Sequence, residues 1–77
     1  MQVTLKLQGP LKKYGNGQES LVWETAAESC AVEELLSGLG IPASSVSFIS
    51  VDGVKVNFSR LLKGGEQVTV YPRVIGG

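Results

Sequence analysis

The side chains of this chain offer little chemistry of their own, and its carboxyl end offers more. Among 77 residues there is no histidine and a single cysteine, Cys30. Without histidine, neither a Ser–His nor a Cys–His pair can activate a nucleophile. One cysteine cannot build a structural zinc site or a four-cysteine iron–sulfur cluster. No stretch fits the GxxxxGK[ST] pattern, so no P-loop cradles a nucleotide. Glu33-Glu34 is a carboxylate pair, but adjacent helical positions point apart, and both read as solvated residues near the positive end of a helix dipole. Cys30 near a helix start would be a reactive thiolate if its pKa were lowered; the reading adopted is a small packed hydrophobe. Trp23 is read in the same way, as core rather than as a partner anchor. What remains is the ending VYPRVIGG, which closes on Gly76 and Gly77. Glycine has no Cβ, so narrow walls can close around such a backbone. Two terminal glycines alone are equally consistent with a frayed end; their setting after a strand and a proline is what makes them informative.

The elements that must position this ending follow from pattern. VTLKL alternates, with Val3, Leu5 and Leu7 on one face of a strand. Turn signals in GPLKKYGNG lead to a second strand, ESLVWE, expected to pair with the first as a hairpin. In SCAVEELLSGLGIP the apolar residues Val32, Leu35, Leu36 and Leu39 fall at helical spacing. Gly40 stands where a left-handed cap is wanted, with Ile41 for the capping contact and Pro42 barring continuation. The helix start stays open between Ser29 and Cys30. VSFISVDGVKVNF predicts two short strands around a type I′ turn at Asp52-Gly53. RLLKGGE is a turn-rich connection whose Leu61 and Leu62 plug the core, with Gly64-Gly65 as the turn. QVTVY is the last strand. The order is an α+β domain with one helix across a sheet.

Composition bounds the function. A chain of this size folds as one domain burying about 60–65% of its unfolded surface, with little room for an internal pocket. Hydrophobic residues make up 43% and charged residues 18%, and seven basic residues balance seven acidic ones. That balance argues against nucleic-acid or acidic-membrane binding. A lone cysteine fits a reducing cytoplasmic compartment. No apolar run approaches a membrane span, MQVTLKL lacks a signal-peptide pattern, and the sequon Asn57-Phe58-Ser59 is expected to be inert.

Over essentially its whole length the sequence resembles the MoaD/ThiS family of ubiquitin-like sulfur carrier proteins, MoaD more than ThiS. The likeness rests on the segments GPLKKYG, AVEELLSGLGIP, VDG, LLKGGEQVTVYP and the final VIGG. Two positions depart from the family pattern: Pro72-Arg73 replaces a more usual pair of prolines, and Ile75 stands where a small residue is common. The resemblance implies a ubiquitin-like β-grasp fold, a mixed sheet of four to five strands with one main helix, over residues 1–71. It further implies a carrier tail over 72–77. In such proteins an E1-like adenylyltransferase of the MoeB/ThiF type uses ATP to adenylate the terminal carboxylate, which is then converted to a thiocarboxylate. The carrier residue would be Gly77, as 1-thioglycine, with no bound cofactor or metal and no catalytic side chain.

By the same resemblance Pro72, Arg73, Val74, Ile75 and Gly76 would thread into a partner's active site. That partner would be a large synthase subunit of the MoaE type, in molybdopterin synthesis, or another sulfur acceptor. Outward-facing Tyr71 and Thr69 would dock the domain, and Arg73 would either pair with an acidic residue or stay solvated. A carrier serving cysteine or thiazole synthesis, a protein modifier joined through Gly77, and a plain interaction module are the competing expectations.

Overall fold

The computed structural model describes residues 1–73. Alternation sets the first strand, β1 (Gln2–Leu7), whose Val3, Leu5 and Leu7 are all buried. β2 (Ser20–Glu24) returns antiparallel beside it, with Trp23 opposite Val3 and Leu21 opposite Leu5. A two-residue strand β3 (Cys30–Ala31) leads straight into the helix α1 (Val32–Leu39). Then follow β4 (Val46–Val51), β5 (Val54–Val56), β6 (Leu61–Leu62) and β7 (Gln67–Pro72). Five strands form one mixed sheet in the order β2-β1-β7-β4-β5, while β3 and β6 pair separately. β7 lies at the centre, parallel to β1 and antiparallel to β4. The expected α+β class, with five strands and one main helix, is what forms.

The core lies between the helix and one face of the sheet. Val32, Leu35 and Leu36 of α1 join Val3, Leu5, Leu7, Ile49, Val51, Val68 and Val70 in a single buried cluster. The helix ends as its sequence requires. Gly40 adopts φ 76°, its N–H reaches the Ser37 carbonyl at 3.0 Å, and the Ile41 N–H reaches Leu36 at 2.9 Å. Ile41 is buried beside this cap, completing a Schellman motif. The helix start belongs to neither Ser29 nor Cys30. Pairing of Cys30 with Leu62 and of Ala31 with Leu61 draws both residues into a strand, so Ala31 becomes the N-cap. Its methyl group accepts nothing. Instead the Glu34 carboxylate accepts from the Ala31 N–H at 3.3 Å, and the Val32 and Glu33 N–H groups donate to Arg60 and Phe58 carbonyls. The donors left over at a helix start are thus served by chain that folds later in the sequence.

Three further segments refine the expectations. GPLKKYG is not a simple turn but a 3-10 helical segment over Gly9–Gly15, with Pro10 in its first turn and Leu11 driven into the core. Leu62 plugs the core as expected, but Leu61 is exposed, because consecutive residues of a strand face opposite ways. Asp52 and Gly53 have φ of 50° and 86°, the type I′ signature. Asp52 also ties this hairpin to β7, since its Oδ1 accepts from the Gln67 N–H at 2.9 Å.

Two contacts carry testable consequences. A Cβ on Gly38 of α1 would lie 2.5 Å from the Trp23 Cη2, so the helix holds a glycine where the indole must pass. Helix propensity alone would make Gly38→Ala stabilising by about 1 kcal/mol. Overpacking against the indole costs about 1–3 kcal/mol, leaving a net loss of about 1 kcal/mol. Urea unfolding checks the sign, and a raised midpoint would mean that the indole swings aside without cost.

The Glu66 carboxylate accepts from Arg60 Nη1 at 2.7 Å, Arg60 Nη2 at 2.9 Å and the Lys63 N–H at 2.6 Å. The Arg60 bond, more than any other influence, holds its pKa below the ordinary glutamate value. Stabilisation from a lowered carboxylate pKa is present above the unfolded value of about 4.3 and disappears as pH falls through the folded value. Glu66→Gln is therefore expected to be less stable than the parent at pH 7. Its urea midpoint should also fall less steeply than the parent's between pH 5 and the acid limit; parallel pH profiles would contradict this.

Candidate functional site

The chemistry expected of this chain lies at the exit of β7, so the backbone there comes first. The Gln8 N–H donates to the Val70 carbonyl at 3.2 Å, and the Arg73 N–H donates to the Ser45 carbonyl at 3.0 Å. Backbone groups alternate sides along a strand, so the Pro72 nitrogen faces the β1 side of the ladder. The last β1 residue paired there is Leu7, opposite Val70. No partner waits for the missing proline N–H, which is how a central strand can end on proline. Pro72 is itself paired with Val46 of β4. Sheet pairing therefore includes Pro72, and Arg73 is tied by its N–H to Ser45 just before β4; these are the first two residues assigned to the tail. Val74, Ile75, Gly76 and Gly77 lie outside the described residues.

The face of the sheet turned away from α1 carries the other expected residues. Tyr71 is half-buried there and stacks on Phe48, with ring centroids 4.3 Å apart and planes 14° apart. Thr69 corrects the expectation. It faces this side but is only 7% exposed, as is Ser50 opposite it. Both sit on inner strands, with Lys6 paired to Thr69 on one side and Lys55 paired to Ser50 on the other. Short hydroxyl side chains in mid-sheet are overshadowed by longer neighbours, so a docking partner would meet Tyr71 and not Thr69.

Phe48 is a site residue that sequence reasoning missed, and the reason is a β-bulge. Val46 and Phe48 are two residues apart and would share a face in a regular strand. The β4–β7 register shifts between them, so Val46 enters the core while Phe48 faces outward beside Tyr71. Lys55 places its Nζ 5.6 Å from the Phe48 ring centroid.

Next to the strand exit is a groove of about 240 Å³, bordered by Pro10, Lys13, Tyr14, Ser45, Pro72 and Arg73. A larger, shallower hollow of about 520 Å³ at Met1, Gln2 and Glu24 lies at the other end of the sheet, away from the β7 exit. Cys30 is buried, its Sγ–H directed at the Ala31 carbonyl at 3.4 Å. Burial first, and the Glu34 charge second, push its pKa up, which keeps it a protonated packing residue. Among the described residues no cluster of three or more His, Cys, Asp or Glu side chains could hold a metal, and no helix is long and apolar enough to cross a membrane.

A family model described as Mut7-C ubiquitin matches residues 2–75. No curated protein matches the chain. Among solved structures, the HVO 2177 protein of Haloferax volcanii aligns over 100% of this chain and 87% of its own, at 21% identity and a TM-score of 0.77. SAMP1 of Haloferax volcanii aligns over 100% of both chains at 18% identity and a TM-score of 0.70. A chain in the complex of subunits 1 and 2 of the molybdopterin-converting factor of Helicobacter pylori aligns over 100% of both chains, at 24% identity and a TM-score of 0.64. At such identities these are likenesses of fold, and the fold is the ubiquitin-like β-grasp. The match over nearly the whole length places the protein: the chain belongs to the Mut7-C ubiquitin family.

Proposed function

We infer that this protein is a ubiquitin-like sulfur carrier, a co-substrate with no catalytic side chain of its own. In this reading the Gly77 carboxylate attacks the α-phosphate of ATP on an E1-like enzyme, releasing pyrophosphate and forming an acyl-adenylate. A sulfur nucleophile then displaces AMP, leaving a thiocarboxylate. Molybdopterin synthesis, beside a large synthase subunit, is the acceptor this reading favours. A free α-carboxylate has a pKa of about 3.3–3.7, so at neutral pH it is a ready nucleophile toward ATP but a poor electrophile until activated. The observation that carries the reading is the central position of β7, whose exit at Arg73 is followed directly by Val74, Ile75, Gly76 and Gly77. The fold likeness to a subunit of the Helicobacter pylori molybdopterin-converting factor supports it further.

The magnitudes require a docked domain. With Pro72 held by the sheet and Arg73 by the Ser45 carbonyl, residues 74–77 extend at most about 14 Å further, at about 3.3–3.6 Å per residue. Threading them costs up to about 4–8 kcal/mol in backbone order. Burying Val74 and Ile75 returns about 1.5–3 kcal/mol each. The two nearly cancel, so net affinity has to come from the folded surface around the strand exit.

Intact-mass spectrometry of protein from its native host, purified without added reductant, tests the reading. A sulfur-for-oxygen mass gain located on Gly77 is expected. A chain that continues past Gly77 without trimming, or isopeptide-linked conjugates with no thiocarboxylate, would overturn it. Gly76→Ala adds a methyl group and restricts φ in the threaded segment. With the purified activating enzyme it should lower the rate of adenylation at least about tenfold, the effect of misplacing a reacting group. The urea midpoint should not change.

A further inference from the structure

Overall neutrality conceals a separation of charge. On the open face of the sheet, Lys6 and Lys55 bracket the Thr69–Ser50 pair. The Phe48–Tyr71 stack stands beside them, and Lys13 and Arg73 border the groove at the strand exit. The acidic residues of the sheet lie elsewhere. Glu24 and Asp52 are at the opposite end, beside Gln2 and Gln67. Glu19 pairs with core-facing Leu7, so it belongs to the helix side. Glu66 is engaged by Arg60, the only ion pair among the described residues. The exit end of this face is therefore cationic, with two aromatic rings at its centre.

We propose that this face, formed by Lys6, Phe48, Lys55, Tyr71 and Arg73, docks a carboxylate-rich surface of a partner protein. Tyrosine and arginine are the residue types that dominate interface energetics, and unpaired lysines at the rim steer an oppositely charged partner. Phe48 argues against a single-stranded nucleic acid as the partner. Base stacking needs an open aromatic face, but Phe48 lies between Tyr71 and the Lys55 ammonium. The proposal deepens the carrier reading by giving the activating enzyme an acidic docking surface, and in that respect rests on it.

The test has two arms. In the first, the isotopically labelled protein is titrated at low salt with a short poly-glutamate peptide and, separately, with an oligouridylate of equal charge. Amide shifts with poly-glutamate should cluster at Lys6, Phe48, Lys55 and Tyr71 and vanish at high salt. Shifts centred elsewhere, or tighter binding of the oligouridylate to the same residues, overturn the proposal. In the second arm, the Lys6→Gln/Lys55→Gln variant is presented to the activating enzyme. Its KM as co-substrate should rise about three- to tenfold, the combined effect of one half-buried and one exposed charge, with kcat unchanged. Lys63→Gln, away from the face, should leave both unchanged. An unaltered KM in the lysine variant overturns the proposal. If the unmutated protein is not adenylated at all, the carrier reading fails, and the peptide titration alone decides the docking face.

Discussion

The parallel pairing of β1 with β7 is the constraint on which the rest of the molecule depends. Leu5 stands opposite Val68 and Leu7 opposite Val70, all four fully buried against the helix. A parallel pair cannot be closed by a tight turn; it needs a long crossover. Here the crossover is nearly the whole domain. β2, α1, β4 and β5 are laid out between two strands that must end side by side. Everything at the strand exit follows from this pairing. β1 stops at Leu7 and turns into the 3-10 segment, which leaves the Pro72 nitrogen without a ladder partner to disappoint and brings Lys13 and Tyr14 to the groove beside Arg73.

Side-chain geometry on the two faces is coupled through the same strands. The bulge at Ser47 lets β4 contribute Val46 to the core and Phe48 to the open face within three residues. An apolar pattern that satisfied only the core would have left β7 with no aromatic partner for Tyr71. The charges obey a similar division. Arg60 and Glu66 brace the turn into β7 from below, while Lys6, Lys55 and Arg73 remain without carboxylate partners among the described residues. One end of the strand is locked by an ion pair, and the other presents unmatched cations.

Much of this was legible in the residues. Period two in VTLKL and QVTVY, period near three and a half in the helix, Gly40 as a left-handed cap and Asp52-Gly53 as a type I′ turn are local signals, and local physics decides them. The misreadings share a cause, because each depends on a residue distant in sequence. Cys30 and Ala31 become a strand only because Leu61 and Leu62 come to lie beside them. Leu61 faces outward for the same reason. Thr69 is covered by its neighbours on β1 and β4, which no alternation within β7 could reveal. The neutral total charge was read correctly, yet a sum says nothing of how its parts are distributed in space.

The central place of β7 also governs when folding can happen. The strand fills a slot between β1 and β4, so the sheet stays divided until residues through Pro72 have left the ribosome. Contacts between the two ends of a chain also make for slow, late-committing folding. Folding of the domain is therefore expected to wait until β7 has been made. A polypeptide truncated before its last strand would lose the seam joining both halves of its core. Stable, folded molecules in the cell would then be those whose final strand has been made, so the architecture inspects its own completeness before the exit of β7 meets any partner.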